Sequence, residues 1–340
     1  MERRLHPATT VLALSCAVAC VDGAQGLALR TRHLDITVLD GEEVLPCGGE
    51  LAALDGFYER LHALYGLEPP HGPPLPVVVW PPGERPSPCS ETAQSCYVAD
   101  DGTIYAGSFG FTLRHELSHA ALQDGGQILP FLSEGLAEAS VSNLLPTQNL
   151  GWDPREVIFE PRGVFGQQFA EYFVAFMLER FGGPAAVRAV MRARADNIDE
   201  IFVEELGEDL DAVAEAFMGQ SKLCSLQSLD CEAPMLAEIA EGWTWEPGTS
   251  CGLPTVLGRQ SARYLTGTIA ISEGGDFVVG VEDADLALVS CVPCEERQGW
   301  LIRSGESQTL TLDPGTWFLQ LVPQGPSTAA RVELERLGVP

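Results

Sequence analysis

The chain has 340 residues, 45% hydrophobic and 20% charged, a globular composition with room for two domains. Forty-eight acidic residues against 20 basic ones give a formal charge of −28. A surface that acidic repels phosphate backbones and anionic headgroups, which argues against nucleic acid as a partner.

In chain order, Arg3 and Arg4 precede an uncharged apolar run over residues 11–21. That run is too short to span a bilayer and fits a secretory signal over residues 1–20. Cys20 follows Ala17-Val18-Ala19, a sequence similar to the lipobox of bacterial lipoproteins, although a large aliphatic residue is usual where Ala17 stands. Export to the exterior or the cell envelope is therefore expected, with lipidated Cys20 as a possible membrane anchor. No later segment has the roughly 18 uninterrupted apolar residues of a membrane helix.

Ten cysteines are present, Cys16 and Cys20 within the signal. The other eight, Cys47, Cys89, Cys96, Cys224, Cys231, Cys251, Cys291 and Cys294, read as disulfides in an exported chain. Cys89 with Cys96 and Cys224 with Cys231 are natural local pairs, but the sequence leaves the connectivity open. Cys291-Val-Pro-Cys294 has the spacing of a redox or zinc pair; with no second such pair nearby, a structural disulfide is the simpler reading.

A linker over 21–32 leads to a strand at 33–39, where HLDITVL alternates. Leu51, Leu54, Tyr58, Leu61 and Tyr65 recur at helical spacing over 49–65. LPVVVW at 75–80 has the β-branched composition of a buried strand. A hairpin follows, with its turn at Asp101-Gly102. Helices are expected at 111–122, 132–144 and 168–181, the last with Phe169, Phe173, Phe176, Met177 and Phe181 on one stripe. Gly182-Gly183 ends that helix and Pro184 opens the next. Two short helices, 198–206 and 210–218, precede Cys224. After about residue 246, short β-rich segments (TGTIAI, DFVVGVE, LALVSC, QTLTL, WFLQLV) describe a small all-β domain. The expected organisation is α+β: a domain over 33–245, then a β-sandwich over 246–340.

The chemistry concentrates at His115-Glu116-Leu117-Ser118-His119. Residues four apart share a helix face, so both imidazoles can address one ion, while Glu116 can reach a water on it. Such a water has its pKa lowered to about 7 on zinc. Phe111 and Leu117 mark the helix as buried. The metzincin pattern would need a histidine at position 125, which is Gly125. Asp124 falls one residue short, and no histidine follows His119. A carboxylate from a second helix is left. Glu134, in the first turn of PFLSEGLAE, is the candidate, set against the plainer reading of a solvated surface helix.

The pair HELSH and LPFLSEGLAEAS resembles the peptidase MA-like gluzincins. The resemblance implies zinc held by His115, His119 and Glu134, Glu116 as catalytic base, and Glu138 accepting a hydrogen bond from a ligand histidine. It continues weakly through QQFAEYFVAFMLERFGG and NIDEIFVEELG, to about Met218. It further implies zinc-dependent hydrolysis of peptide bonds in extracellular or envelope proteins or peptides, with the Thr103–Tyr105 strand as the edge that receives the substrate. The alternative is a non-catalytic envelope or adhesion module that keeps the fold. Tyr172 and Tyr264 are the downstream candidates for an oxyanion donor, and Tyr172 reads equally as a core aromatic. The segments GGDFVVGVEDADLALV and LTLDPGTWFLQLV resemble bacterial pre-peptidase C-terminal sandwiches. Asp283 and Asp285 there suit either a Ca²⁺ site or a turn. Trp243 and Trp245 are expected to pack between the domains. His33, His62 and His71 are expected to be ordinary surface or core histidines.

Overall fold

The computed structural model describes residues 17–338 apart from 22–23, 40–44, 81–88, 90–92, 124–126, 142–144, 150, 160–162, 226–230, 260 and 326–328. Strands β1 (Ala17–Val21), β2 (Ala24–Arg30) and β3 (Leu34–Leu39) lead into helix α1 (Glu50–Tyr65). Strands β4 (Leu75–Val79), β5 (Ser95–Val98) and β6 (Thr103–Ala106) follow. The six strands form one sheet in the order β1-β2-β3-β4-β6-β5, in which β3, β4 and β6 run parallel. The apolar stripe that predicts α1 is buried, at Leu51, Leu54, Phe57, Tyr58, Leu61 and Tyr65. Gly66, in the left-handed conformation at φ 66°, ends the helix.

Several expectations change in this sheet. The stretch read as a linker forms β2, antiparallel to β3, because its alternation buries Leu29. Residues 17–20 at the end of the expected signal, together with Val21, form β1 against β2, and residues 1–16 lie outside the described residues. The hairpin at Asp101-Gly102 is as expected, but its outer strand is β5. One side of β6 is occupied by β4, so among the described residues the terminal strand on this side of the sheet is Ser95–Val98 and not the Thr103–Tyr105 strand.

Helices α2 (Phe111–Leu122) and α3 (Pro130–Val141) come next, then the short strand β7 (Thr147–Gln148). Helices α4 (Gly163–Phe181), α5 (Gly183–Arg192), α6 (Ile198–Leu206) and α7 (Leu210–Met218) precede β8 (Lys222–Leu223), which pairs with β7. Helix α3 begins at Pro130, earlier than expected, where the missing N–H costs nothing. Phe169, Phe173, Phe176 and Met177 of α4 are buried in one core with α1, α2, α3 and the sheet.

The second unit contains β9 (Met235–Ile239), β10 (Gly242–Trp245), β11 (Leu257–Arg259), β12 (Ala262–Ile271) and β13 (Gly275–Glu282). It continues with β14 (Ala284–Ser290), β15 (Gly299–Ile302), β16 (Ser307–Leu312), β17 (Gly315–Pro323) and β18 (Arg331–Arg336). One sheet has the order β10-β18-β13-β16; the other is β11-β12-β17-β14-β15, with β9 on β12. The inward residues of both sheets, among them Ile269, Phe277, Leu286, Trp317 and Leu319, make a separate core. The β unit therefore starts at β9 and not at residue 246, since β9 and β10 are held by β12 and β18. Trp243 and Trp245, stacked at 6.0 Å, pack against this core rather than purely between domains. Asp283 is a left-handed turn residue at φ 56°. Asp285 accepts hydrogen bonds from the Ser304 backbone N–H, Arg303 and Gln324, so the turn reading fits.

The whole is mixed α+β, with seven α-helices and two sandwich-like sheets among the described residues. Four disulfides link it. Cys89–Cys96 is local, whereas Cys47–Cys251, Cys224–Cys294 and Cys231–Cys291 cross between the units. The expected Cys224–Cys231 bond does not form, nor does one between Cys291 and Cys294. The two short segments lie opposite each other, and each cysteine of one takes a cysteine of the other at Cα separations of 5.7 and 5.9 Å. Buried Glu50 adds a polar tie, accepting from the Gly258 backbone N–H at 2.6 Å and from Arg114 at 3.2 Å. Four disulfides fit an extracellular or envelope setting. Among the described residues no helix is long and apolar enough to cross a membrane.

Candidate metal centre

Helix α2 starts after Gly110, at φ 84°, and stops at Gln123, whose N–H returns to the carbonyls of Ala120 and His119. Leu113 and Leu117 are fully buried and fix the rotation of the helix, so His115 and His119 share the opposite face. Phe111 lies one turn before His115 and is 51% exposed, contrary to the buried position expected for it. As the first residue of α2, on the face of His115, it opens toward a cleft. Its ring lies 6.4 Å from the His115 ring.

Helix α3 is pinned beside α2 by close packing on α4. A Cβ on Gly135 would stand 2.6 Å from the Ala170 carbonyl oxygen and 2.8 Å from a Val174 methyl, so only glycine allows this approach. The neighbouring residue, Glu134, is thereby carried toward α2. Tyr65 ties the helices from below, its hydroxyl bonded to Ser118 of α2 and, at 2.9 Å, to Ser140 of α3.

Among the described residues, one cluster of His, Cys, Asp and Glu gathers closely enough to hold a metal: His115, His119 and Glu134. Nε2 of His119 is 3.2 Å from Nε2 of His115. Glu134 places Oε2 3.3 Å from the first of these rings and Oε1 3.7 Å from the second. Donors about 2.0–2.1 Å from one tetrahedral cation stand about 3.3 Å apart, so the three side chains fit a single ion. Polar groups also lie near the outer ring nitrogens. Oε1 of Glu138 is 3.4 Å from Nδ1 of His115, a buried nitrogen that makes no hydrogen bond among the described residues. Ser133 Oγ is 3.2 Å from Nδ1 of His119. A carboxylate beside one Nδ1 and a hydroxyl on the other favour tautomers whose Nε2 lone pairs face the shared point.

Burial opposes a charge on His115, but Glu134, Glu138 and the nearby Glu116 outweigh it and push the ring up to about 10. The cluster thus favours a positive charge at its centre, which a bound cation supplies in place of the proton. Glu116 is 4% exposed and accepts a 2.5 Å hydrogen bond from Ser95 Oγ, on the edge strand β5.

The structure brings together His115, His119, Glu134 and Glu138, with Glu116 next to His115 on the helix. Tyr172 packs against the helical core, and Tyr264 lines an interdomain cleft of about 680 Å³, with Arg114 5.8 Å from its ring. His33 meets Glu59 at 2.8 Å, while His62 and His71 bond to backbone carbonyls, as expected of ordinary histidines. Asp124 and Gly125 lie outside the described residues. Ser133 and Ser95 stand outside the two sequence motifs' candidate site residues. Ser133 precedes Glu134 and carried a local signal, whereas Ser95 lies 21 residues before Glu116 and carried none.

No protein-family model matches the chain, and no curated protein matches it. Its structure is loosely similar to the pre-peptidase C-terminal domain of a collagenase from Bacillus anthracis. That match has 12% identity and a TM-score of 0.22, covering 30% of this chain and 95% of the other. It is also loosely similar to the aminopeptidase A of Legionella pneumophila, at 11% identity and a TM-score of 0.36. There the alignment covers 93% of this chain but 36% of the aminopeptidase. Likenesses this loose fix neither a family nor an activity.

Proposed function

We propose that the chain is an exported zinc peptidase of gluzincin type, hydrolysing peptide bonds in extracellular or envelope proteins or peptides. The observation that carries this reading is the convergence of two imidazole Nε2 atoms and one carboxylate at 3.2–3.7 Å, with a further buried carboxylate, Glu116, beside the first ring. Two nitrogens and one oxygen are the donor set of a catalytic zinc site that keeps its fourth position open. When bound, zinc supplies Lewis acidity, which acidifies water and polarises a carbonyl oxygen.

The chain's own residues do the rest. Glu116 takes a proton from the attacking water and returns it to the leaving amine. Glu138 and Ser133 keep both rings turned with Nε2 inward, and a peptide lies along β5. The retained Glu116 separates this reading from a non-catalytic adhesion module, which has no use for a base. Metal analysis of the wild type beside Glu134→Ala, followed by a peptide-library digest with wild type and Glu116→Gln, tests it. One equivalent of zinc, lost in the alanine variant, and cleavage abolished in the glutamine variant are expected. A wild type that binds no zinc, or that matches Glu116→Gln on every peptide, would overturn it.

A further inference from the structure

Glu116 belongs to α2, but among the described residues the side chain that holds its carboxylate, Ser95, comes from the sheet. We propose that Ser95 is a positioning residue: its hydroxyl, on the edge strand, sets the orientation of the Glu116 carboxylate. The proposal rests on the reading of Glu116 as the base.

An ionised carboxylate only accepts, so the Ser95 hydroxyl donates, and 2.5 Å is the length of a charge-assisted O–H···O⁻ bond. A glutamate on a helix has three rotatable side-chain bonds, and nothing in α2 itself restrains the last of them. Ser95 occupies Oε1, which leaves Oε2 to take the proton of a water. The serine is itself held fast. Its backbone is in register with Ala106 of β6, the Gln94 carbonyl before it accepts from the Gly107 N–H, and Cys96 after it is bonded to Cys89. The base is thereby referenced to β5, the last strand of the sheet on this side among the described residues and the one proposed to receive an extended peptide. A substrate paired along that strand and the carboxylate that serves it move as one body.

The test compares wild type, Ser95→Ala, Ser95→Thr and Glu116→Gln as zinc-loaded full-length proteins. Zinc content, kcat and KM on a library-derived peptide, and calorimetric affinity for acetohydroxamate are measured. A hydroxamate chelates zinc while giving its proton to a neighbouring carboxylate, so its affinity reports a correctly placed Glu116 without any turnover. Expected for Ser95→Ala are full zinc, an unchanged KM, a kcat lower by about ten- to a hundredfold, and weakened hydroxamate binding. Threonine, which keeps the hydroxyl, should restore both. Unchanged kcat and hydroxamate affinity in Ser95→Ala would overturn the proposal, as would a defect confined to zinc content or KM. Should wild type cleave nothing, the peptidase reading fails alone, and the hydroxamate affinities still decide whether Ser95 holds Glu116.

Discussion

Glu138 approaches Nδ1 of His115 to 3.4 Å, at the nitrogen opposite the one that faces Glu134. The His115 ring is thus addressed by carboxylates at both ends, one beside the candidate metal position and one behind it. A carboxylate behind a ligand histidine fixes its tautomer and raises its basicity as a donor. Glu138→Gln keeps the shape and removes the charge. It should weaken zinc binding by about 10- to 100-fold while leaving the fold intact, read by competition with a chromogenic chelator and by circular dichroism. Unaltered affinity would mean that Glu138 is merely a neighbour.

Gly135 is the second structural condition on the site. An added methyl would meet the Ala170 carbonyl at 2.6 Å, and a backbone atom cannot swing aside as a side-chain tip can. Gly135→Ala should therefore push α3 off α4, destabilise the protein by about 1–3 kcal/mol and weaken zinc binding together. Denaturant titration and the same chelator assay measure both. A variant of normal stability and normal zinc affinity would show that the packing relaxes without moving Glu134.

The parts of the molecule legible in the sequence are those fixed by neighbours a few residues away. Helices α2, α6 and α7 have the predicted bounds because their apolar period and their terminators, such as Gly207 in the left-handed conformation and the Asp209 cap, are local. The candidate metal cluster was legible for the same reason, since two of its residues lie on one helix and the third in the next. Contacts between distant segments were not. β9, β10 and β18 are short strands defined by partners far along the chain, and Cys224 chose Cys294 over the nearer Cys231. Ser95 reaches Glu116 only because the outer strand of a hairpin lies beside α2, which no local pattern encodes.

Cys47–Cys251 spans 204 residues and sits beside the Glu50–Gly258 hydrogen bond, so covalent and polar ties join the first turn of α1 to the sandwich at one place. Replacing both cysteines by alanine should lower stability by about 2–4 kcal/mol, chiefly by releasing the unfolded chain. Calorimetry of the oxidised variant should still give coupled melting, because Cys224–Cys294 and Cys231–Cys291 keep the units together. Full reduction should split the transition in two, reflecting the two separate cores. A single sharp transition after full reduction would show that the disulfides are not what couples them.

Asp285 offers a pH test in the sandwich. Burial tends to raise its carboxyl, but the Ser304 N–H, Arg303 and Gln324 outweigh burial and hold it below the usual aspartate range. A depressed native value means that the charged form is favoured by folding. Its stabilising effect is present above the unfolded value, about 3.9, and is lost as pH falls through the lower native one. Asp285→Asn should accordingly be less stable than wild type at pH 7, and the gap should close as the pH drops below about 4, where the wild-type group also loses its charge. Thermal melts of both proteins from neutral to acid pH measure this difference. A gap that stays constant to the most acidic point would assign the cost to lost geometry at the β14 turn and not to the charge of Asp285.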